Sequence, residues 1–530
     1  MKRIFLKTTL LFMLFSFSSN FYAQEDIEVL IGEEIRSYRK ETIASVHRGD
    51  DGIIVLKGKY SLLGRPDYYL EIFDNNMNFV SRNEIDLPDR DIEFSEMTYL
   101  NGKIYFFMEK YDKKSKINYI YGTILSKDGK FEKDIFEITQ FEVEKRRKTN
   151  DFFTDISADS SKFVIMVSPP EIGKEQKAKR QFIVLDLDFN EVDNIELDFP
   201  FLERDFRVAR SHMDPMGNIH MLCEIAIEES KRSSFFRNEE REARVFTLYK
   251  GATAVEEYKI NFLNEDAGFI SQIKMKTDKL GRLQCAGFYS DRKGNSTKGV
   301  FVFTIDPSTK EISNVSSQEF TDEYLNQFLS DRQVRKKDRK RSKNKEKNPY
   351  ERLYYYKVRD LVMKEGGGFY MVAEFYLHTT TTTTDANGNT RVTHHYRYND
   401  LMVINVLEDN SISWFSRVPK YQYTTNDNGY YSGIVMGLNN DNSLNILFND
   451  DRDNANVVDH DNKGKMKYKR IRTVLVKFDN DGNATKTPLI NAKKSSALLV
   501  PGLSPKGKSN DIILYSNLKK KNRFINVKLR

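Results

Sequence analysis

Cysteine is nearly absent. Cys223 and Cys285 are the only two in 530 residues, and both fall in similar short apolar segments, so they read as small buried hydrophobes rather than a bridged pair. After the first sixteen residues no apolar run is long enough to span a bilayer. There is no Gly-x-Ser-x-Gly elbow, and neither cysteine has a placed histidine partner, so nucleophilic catalysis finds no support. The glycine cluster Gly366–Gly368 sits at a turn, not ahead of a phosphate-binding helix. Evenly spread basic charge is missing too. The net charge of +7 depends on one stretch, Arg332–Lys347, with ten Lys/Arg against Asp338 and Glu346. A nucleic-acid surface needs basic residues distributed along a face, which excludes that class.

What is present is a repeat. A tight turn followed by an apolar strand recurs eight times: Gly52–Leu56, Gly102–Met108, Ser161–Val167, Gly217–Cys223, Gly281–Ala286, Gly368–Ala373, Asn442–Phe448 and Asn510–Tyr515. A strand precedes each turn, and a second strand follows, such as Tyr119–Leu125 or Val300–Ile305. That strand usually runs into a turn rich in Asp, Asn or Gly, and then a fourth strand. Four short antiparallel strands per repeat resemble the blades of a β-propeller. The expected fold is all-β, an eight-bladed propeller, with seven blades if one copy is misread; a β-sandwich is the competing arrangement. The resemblance is to propellers in general. There is no repeated Trp-Asp pair, no kelch double glycine and no sialidase-type Asp box.

The last repeat supplies three strands, Leu498–Val500, Ile512–Tyr515 and Phe524–Val527, whereas the others have four. An alternating segment near the start, Ile27–Ile31, is otherwise unassigned. An open sheet edge is a liability that closure removes, so Ile27–Ile31 is expected as the outer strand of the last blade. The residues before it have a basic start, a short apolar core and Ala23 ahead of polar Gln24–Asp26. They read as a secretory leader over 1–23, with cleavage near Ala23 and no neighbouring cysteine for a lipid anchor. The expected product is a single propeller over 24–530, periplasmic or secreted.

Labelling the strands of each blade A to D, alternation puts the B–C loop and the D–A link at one end and the A–B and C–D turns at the other. The long insertions, Pro169–Arg180, Glu228–Glu242, Thr321–Arg352, His378–Asp400 and Asn449–Arg470, all fall at the B–C/D–A end. Loops carry function on rigid scaffolds, so that end is expected to bind a protein or cell-envelope partner, acidic if the basic stretch takes part. Candidate contacts are Phe235 and Phe236; Arg335, Lys336, Lys337, Arg339, Lys340 and Arg341; His394 and His395; and Tyr421 and Tyr423. Within Thr321–Arg352 the spacing of Tyr324, Leu325, Phe328 and Leu329 predicts a short helix, and the dense basic block over 331–350 is expected to be disordered. Six threonines, Thr379–Thr384, with Asn387-Gly388 after them predict a protruding hairpin. His378, His394, His395 and His460, with Asp459 and Asp461, are not spaced as metal ligands on one rigid element, so neither a metal nor a cofactor is expected. Carboxylates are abundant, and an acidic catalytic pair is recognised by geometry rather than spacing. A hydrolase or lyase acting on glycans or peptides in the central funnel is therefore the alternative to a non-catalytic binding protein.

Overall fold

The computed structural model describes residues 27–529 apart from 39, 61–65, 90, 144–151, 169–174, 227–240, 259, 261–268, 292–295, 328, 330, 342–351, 457–465, 467–469, 492–496 and 506–509. Residues 1–23, expected to be a leader, and Phe235 and Phe236 lie outside the described residues, as do the side chains of Lys340 and Arg341.

The chain forms eight four-stranded antiparallel sheets. Blade 1 consists of Glu41–Arg48, Ile53–Lys59, Asp67–Phe73 and Phe79–Ile85, paired in that order. Blades 2 to 7 repeat the order along the chain. Their B strands are Lys103–Asp112, Lys162–Val167, Ile219–Ala226, Leu283–Ser290, Phe369–Thr384 and Leu444–Asp451, and blade 8 has Asp511–Leu518.

Each B strand is covered on both faces, which gives a continuous apolar run instead of alternation. In blade 2, Ile104, Phe106 and Met108 pack with Ile54, Leu56 and Leu70 of blade 1. Tyr105 and Phe107, on the other face, pack with Phe163, Ile165 and Val167 of blade 3. The same handover joins blade 3 to 4, 4 to 5, 5 to 6, 6 to 7 and 7 to 8. The eighth core closes the circle: Ile513, Tyr515 and Phe524 of the last sheet pack on Ile53, Val55 and Phe73 of the first. Eight sheets joined pairwise by eight cores are an eight-bladed propeller. Cys223 lies in the core between blades 3 and 4 and Cys285 in that between 4 and 5. Both are free, buried thiols, and burial raises their pKa.

The two ends of the chain meet in blade 8. Ile27–Ile31 pairs with the last strand, Lys521–Leu529, with Val29 opposite Val527. Ile35–Arg36 continues along the same strand. Its inner position is held by the bridge between Leu499 and Ser516.

One turn chemistry recurs. In Asp214–Asn218, Asp278–Arg282, Asp385–Asn389 and Asp479–Asn483, the aspartate Oδ1 accepts the backbone N–H four residues on, and Oδ2 accepts that residue's side chain. The fourth position of each is a glycine at positive φ, as a type I turn with a following left-handed residue requires. Asp74–Asn78 and Asp186–Asn190 make the same turn with Met77 and Phe189 at φ 66° and 65°. Those residues lie in the left-handed region, at a cost of about 1–2 kcal/mol each, offset by burying their side chains in inter-blade cores. The hairpin turn expected at Asn387-Gly388 is of this kind, with only Gly388 at positive φ.

These aspartates are expected to make the fold acid-sensitive. Hydrogen bonds from Asn389 and Asn483 hold Asp385 and Asp479 below the usual carboxylate range. At buried Asp214 desolvation works upward, but hydrogen bonds from His220 and Asn218 outweigh it and hold that carboxyl low as well. A carboxyl depressed in the folded state stabilises it above the unfolded pKa, and that contribution is lost as pH falls through the folded value. Thermal unfolding followed against pH should show stability falling below about pH 3.8, the ordinary value. Asp214→Asn should be less stable at neutral pH and converge on the parent in acid.

The D–A link from blade 5 to blade 6 differs from expectation. A short helix, α1, runs over Asp322–Asn326 with Thr321 as its N-cap. A second helix, α2, covers Asp331–Arg341. The basic block is therefore helical over 331–341, where disorder was expected; residues 342–350 lie outside the described residues. Lys337 explains part of the difference. Its side chain is 1 % exposed and its Nζ donates to Asp322 Oδ1 at 2.7 Å and Asn326 Oδ1 at 3.1 Å, tying α2 to α1.

Candidate functional site

The described parts of the long insertions lie in B–C loops or D–A links, and a cavity of about 690 Å³ opens at that end of the blades. Its walls come from blades 1, 6, 7 and 8: Glu41 and Lys57; Arg359, Glu374 and Tyr398; Tyr430 and Ser432; Tyr515, Asn517 and Asn522. All these residues lie toward the B–C/D–A end of their blades, so the cavity is the mouth of the propeller's axial channel. Near the other end of the same axis is a smaller cavity of about 290 Å³, lined by Lys279, Lys364, Asn439 and Asp511 among others. Met436, on the inner strand of blade 7, borders both.

The wall beside blade 7 is preset by local backbone. Asn426, Asn428 and Gly429 all take positive φ, conformations that Asn and Gly tolerate best. Asn428 Oδ1 accepts the Tyr396 hydroxyl at 2.7 Å. A Cβ on Gly429 would sit 2.6 Å from the Tyr398 ring, so only glycine lets this loop rest against that tyrosine. Tyr398 ionises only at high pH, with burial pushing its pKa up to about 12; the ring is a neutral wall. The Ser432 hydroxyl is buried at the cavity edge, without a hydrogen-bond partner among the described residues.

Beneath the cavity lie two ion networks. In blade 1, Arg82 joins Glu41 on strand A and Glu71 on strand C, each at 2.6 Å, and Lys57 on strand B meets the other Glu71 oxygen at 2.6 Å. Arg82 also lies 4.0 Å over the Tyr69 ring. In blade 6, the Arg359 Nε donates to Glu374 Oε2 at 2.7 Å, and the Lys420 ammonium takes Glu374 Oε1. Lys420 also donates to Gln422 Oε1 at 2.9 Å, which accepts the Gly433 N–H at 2.9 Å. Next to it, Asp450 and Lys486 pair at 2.7 Å, both side chains fully buried. Desolvation lowers the Lys420 and Lys486 pKa values, against the pull of their carboxylate partners.

This geometry bears on catalysis. The cavity and its carboxylates are what an enzyme in the funnel would need. Yet Glu41 and Glu374 each have both oxygens committed to cations, so neither is placed as a free acid or base. A Thr–His–Asp constellation does occur, with His220 bonded to Thr247 at 2.9 Å and Asp214 at 3.2 Å. All three side chains are sealed inside blade 4, where the set fastens a turn. Gly502 to Ser509 has the Gly-x4-Gly-Lys-Ser spacing of a phosphate loop, but the next described element is the strand Asp511–Leu518, not the helix whose N-terminus such a loop uses.

The candidate contacts from the sequence fall into separate places. His395 and Tyr423 share one face of the blade 6 hairpin, with Nδ1 2.6 Å from the hydroxyl. His394 is on the opposite face, its Nδ1 3.2 Å from His378 Nε2. Tyr421 is exposed on strand D of blade 6. Arg335, Lys336 and Arg339 are exposed on α2, whereas buried Lys337 is an anchor and leaves the contact set. Among the described residues no three His, Cys, Asp or Glu are grouped to hold a metal. None of the charged cavity residues was singled out from sequence. A usable signal existed: Lys57, Glu374 and Asp450 each interrupt the apolar run of a B strand near its B–C end, where a charge is out of place unless paired.

No family model matches the chain, and no curated protein does. Among solved structures it is similar to puromycin hydrolase, at 10% identity and TM-score 0.32, covering 69% of this chain and 58% of that one. It is also similar to the β-propeller domain of the Trilobed protease from Pyrococcus furiosus, at 10% identity and TM-score 0.33, covering 72% and 98%. Prolyl oligopeptidase B from Galerina marginata matches at 9% identity and TM-score 0.32, over 68% of this chain and 39% of that one. The chain thus spans between about two fifths and three fifths of the two hydrolases. At such scores these likenesses carry no argument about activity, and the propeller rests on the strand pairing and cores described above.

Proposed function

We propose that this protein is a non-catalytic binding or scaffold protein of the cell envelope or the secreted fraction, engaging its partner through the B–C/D–A face. The observation that supports this best is a coincidence of place. The described parts of the long insertions and the cavity share one end of the blades, and the carboxylates facing that cavity are already ion-paired. Fixed charges of both signs, tyrosine rings and the amides of Asn428, Asn517 and Asn522 stand among apolar side chains such as Ile434, Met436 and Leu503, a mixed surface suited to orienting a partner by a few hydrogen bonds. Reading residues 1–23 as a secretory leader supports a location outside the cytoplasm. No helix among the described residues is long and apolar enough to cross a membrane.

A photo-crosslinking residue placed singly at Tyr430 or Tyr421, on the loop-bearing end, should capture a partner from envelope extract. The same residue at Leu280 or Leu407, in exposed turns of the opposite end, should not. Equal capture from both ends, or from the opposite end alone, contradicts the proposal. The cavity's carboxylates keep a second reading in play, a glycan or peptide hydrolase or lyase. Turnover abolished by Glu41→Gln or Glu374→Gln, with capture at Tyr430 unchanged, would favour it.

A further inference from the structure

The blade 6 hairpin carries an open sheet edge. Strands B and C of that blade, Phe369–Thr384 and Thr390–Val406, pair without interruption from Phe375–Asn399 to Thr384–Thr390. Strand D follows them only as far as Thr425 opposite His395. Strand A ends its pairing at Tyr356 opposite Phe375. Beyond that point the edge of strand B on the side of strand A has no partner strand among the described residues, and Thr379–Thr384 are exposed.

The ladder's parity shows which backbone groups face outward. Asp385 and Asn389 are hydrogen-bonded across the turn, so in an antiparallel ladder Thr383, Thr381 and Thr379 bond inward. His378, Thr380, Thr382 and Thr384 then turn N–H and C=O toward the open side. The contacts at both ends agree: the Tyr376 N–H, in the same phase, is taken by the Tyr355 carbonyl at 2.8 Å, and the His394 N–H points away from strand B to Asn426.

Natural sheets guard such edges with charge, proline, a bulge or a covering element. Residues 376–384, Tyr-Leu-His followed by six threonines, contain no charged residue and no proline. The register shift in this strand lies before them, between Glu374 and Phe375.

We propose that this edge pairs with the same edge of a second copy, antiparallel about a two-fold axis at Thr381. The sequence is self-complementary in the way an isologous contact requires. His378 meets the partner's Thr384, and Thr380 meets the partner's Thr382, forming about eight backbone hydrogen bonds. Threonine pairs across strands add their own contacts. The same register brings Asp385 at one tip alongside Leu377 of the other copy. There the Lys357 ammonium stands 4.6 Å over the Tyr376 ring, so the acidic tip meets a cation. The two three-stranded extensions become one six-stranded sheet.

Sedimentation equilibrium of the full chain over a wide concentration range tests this. The expected mass rises to twice that of one chain. Thr382→Pro removes an outward N–H that the hairpin does not use, and Thr382→Lys adds a charge beside the two-fold. Both should remain monomeric with unchanged circular dichroism. A parent that stays monomeric at every concentration overturns the proposal, and so does a dimer that both variants retain. A monomer that binds a threonine-rich peptide through this edge would assign the edge to a foreign strand, also against it.

Discussion

Removing residues 27–36 should abolish cooperative folding. That segment supplies the outer strand of blade 8, with Val29 1% exposed opposite Val527. Ile27, Ile31 and Ile35 pack beside it on the cores that blade 8 shares with blades 7 and 1. Losing buried Val29 removes roughly 1.5–3 kcal/mol and the three partly buried isoleucines less each, a sum that is a large share of an ordinary domain's stability of about 5–15 kcal/mol. The polar contacts go too: Glu34 meets Arg523 and Lys521, each at 2.7 Å. Gly32 makes the geometry specific. A Cβ there would lie 2.3 Å from the Met77 carbonyl oxygen of blade 1, so the segment threads a gap with no room for a side chain. The single substitution Val29→Asp should act in the same direction, because it puts an unpaired carboxylate into a core. Size-exclusion chromatography and thermal unfolding check both variants: the expected outcome is aggregation or a broad, low-temperature transition. A sharp transition within a few degrees of the parent would show that the ring does not need this strand.

The second large effect is expected at Glu374. Its side chain is fully buried between Arg359 and Lys420. Glu374→Ala leaves the buried Lys420 ammonium without its carboxylate, holding only the neutral Gln422 Oε1 among the partners described above, and breaking such a pair costs roughly 3–5 kcal/mol. Replacing both partners, Glu374→Leu with Lys420→Met, removes the uncompensated charge and should recover much of the loss. Urea unfolding of Glu374→Leu, Lys420→Met and the double variant measures the coupling. If Glu374→Ala unfolds at the parent's urea midpoint, the network does not bear on stability. The cavity should suffer with it, since Arg359 and Tyr398 share that wall.

The ring was legible in the sequence because its physics is periodic. Strands such as Ile104–Met108 and Leu444–Phe448 face a neighbouring blade on each side, so each copy had to be an unbroken apolar run after a turn. The shortfall of one strand in the last repeat and the spare alternating segment at Ile27–Ile31 pointed to their pairing. The end at which the insertions emerge followed from strand alternation alone. The cavity was not legible. Glu41, Lys57, Arg359 and Glu374 are far apart in the chain and meet only because blades 1 and 6 face one axis. The basic block misled for a related reason. Composition describes self-repulsion along a segment, whereas Lys337 is neutralised by Asp322, fifteen residues earlier.

Whether the chain closes on itself as a ring can be asked directly. Glu28 and Lys528 stand opposite each other in the closing pair, both partly exposed. Cysteines at these two positions, in a chain with Cys223 and Cys285 replaced by serine, should form a disulfide under mild oxidation. Peptide mapping by mass spectrometry should then recover the first and last segments of the folded chain joined in one species. Two free thiols in protein that remains folded would contradict the closure, and with it the grouping of loops and cavity at one end.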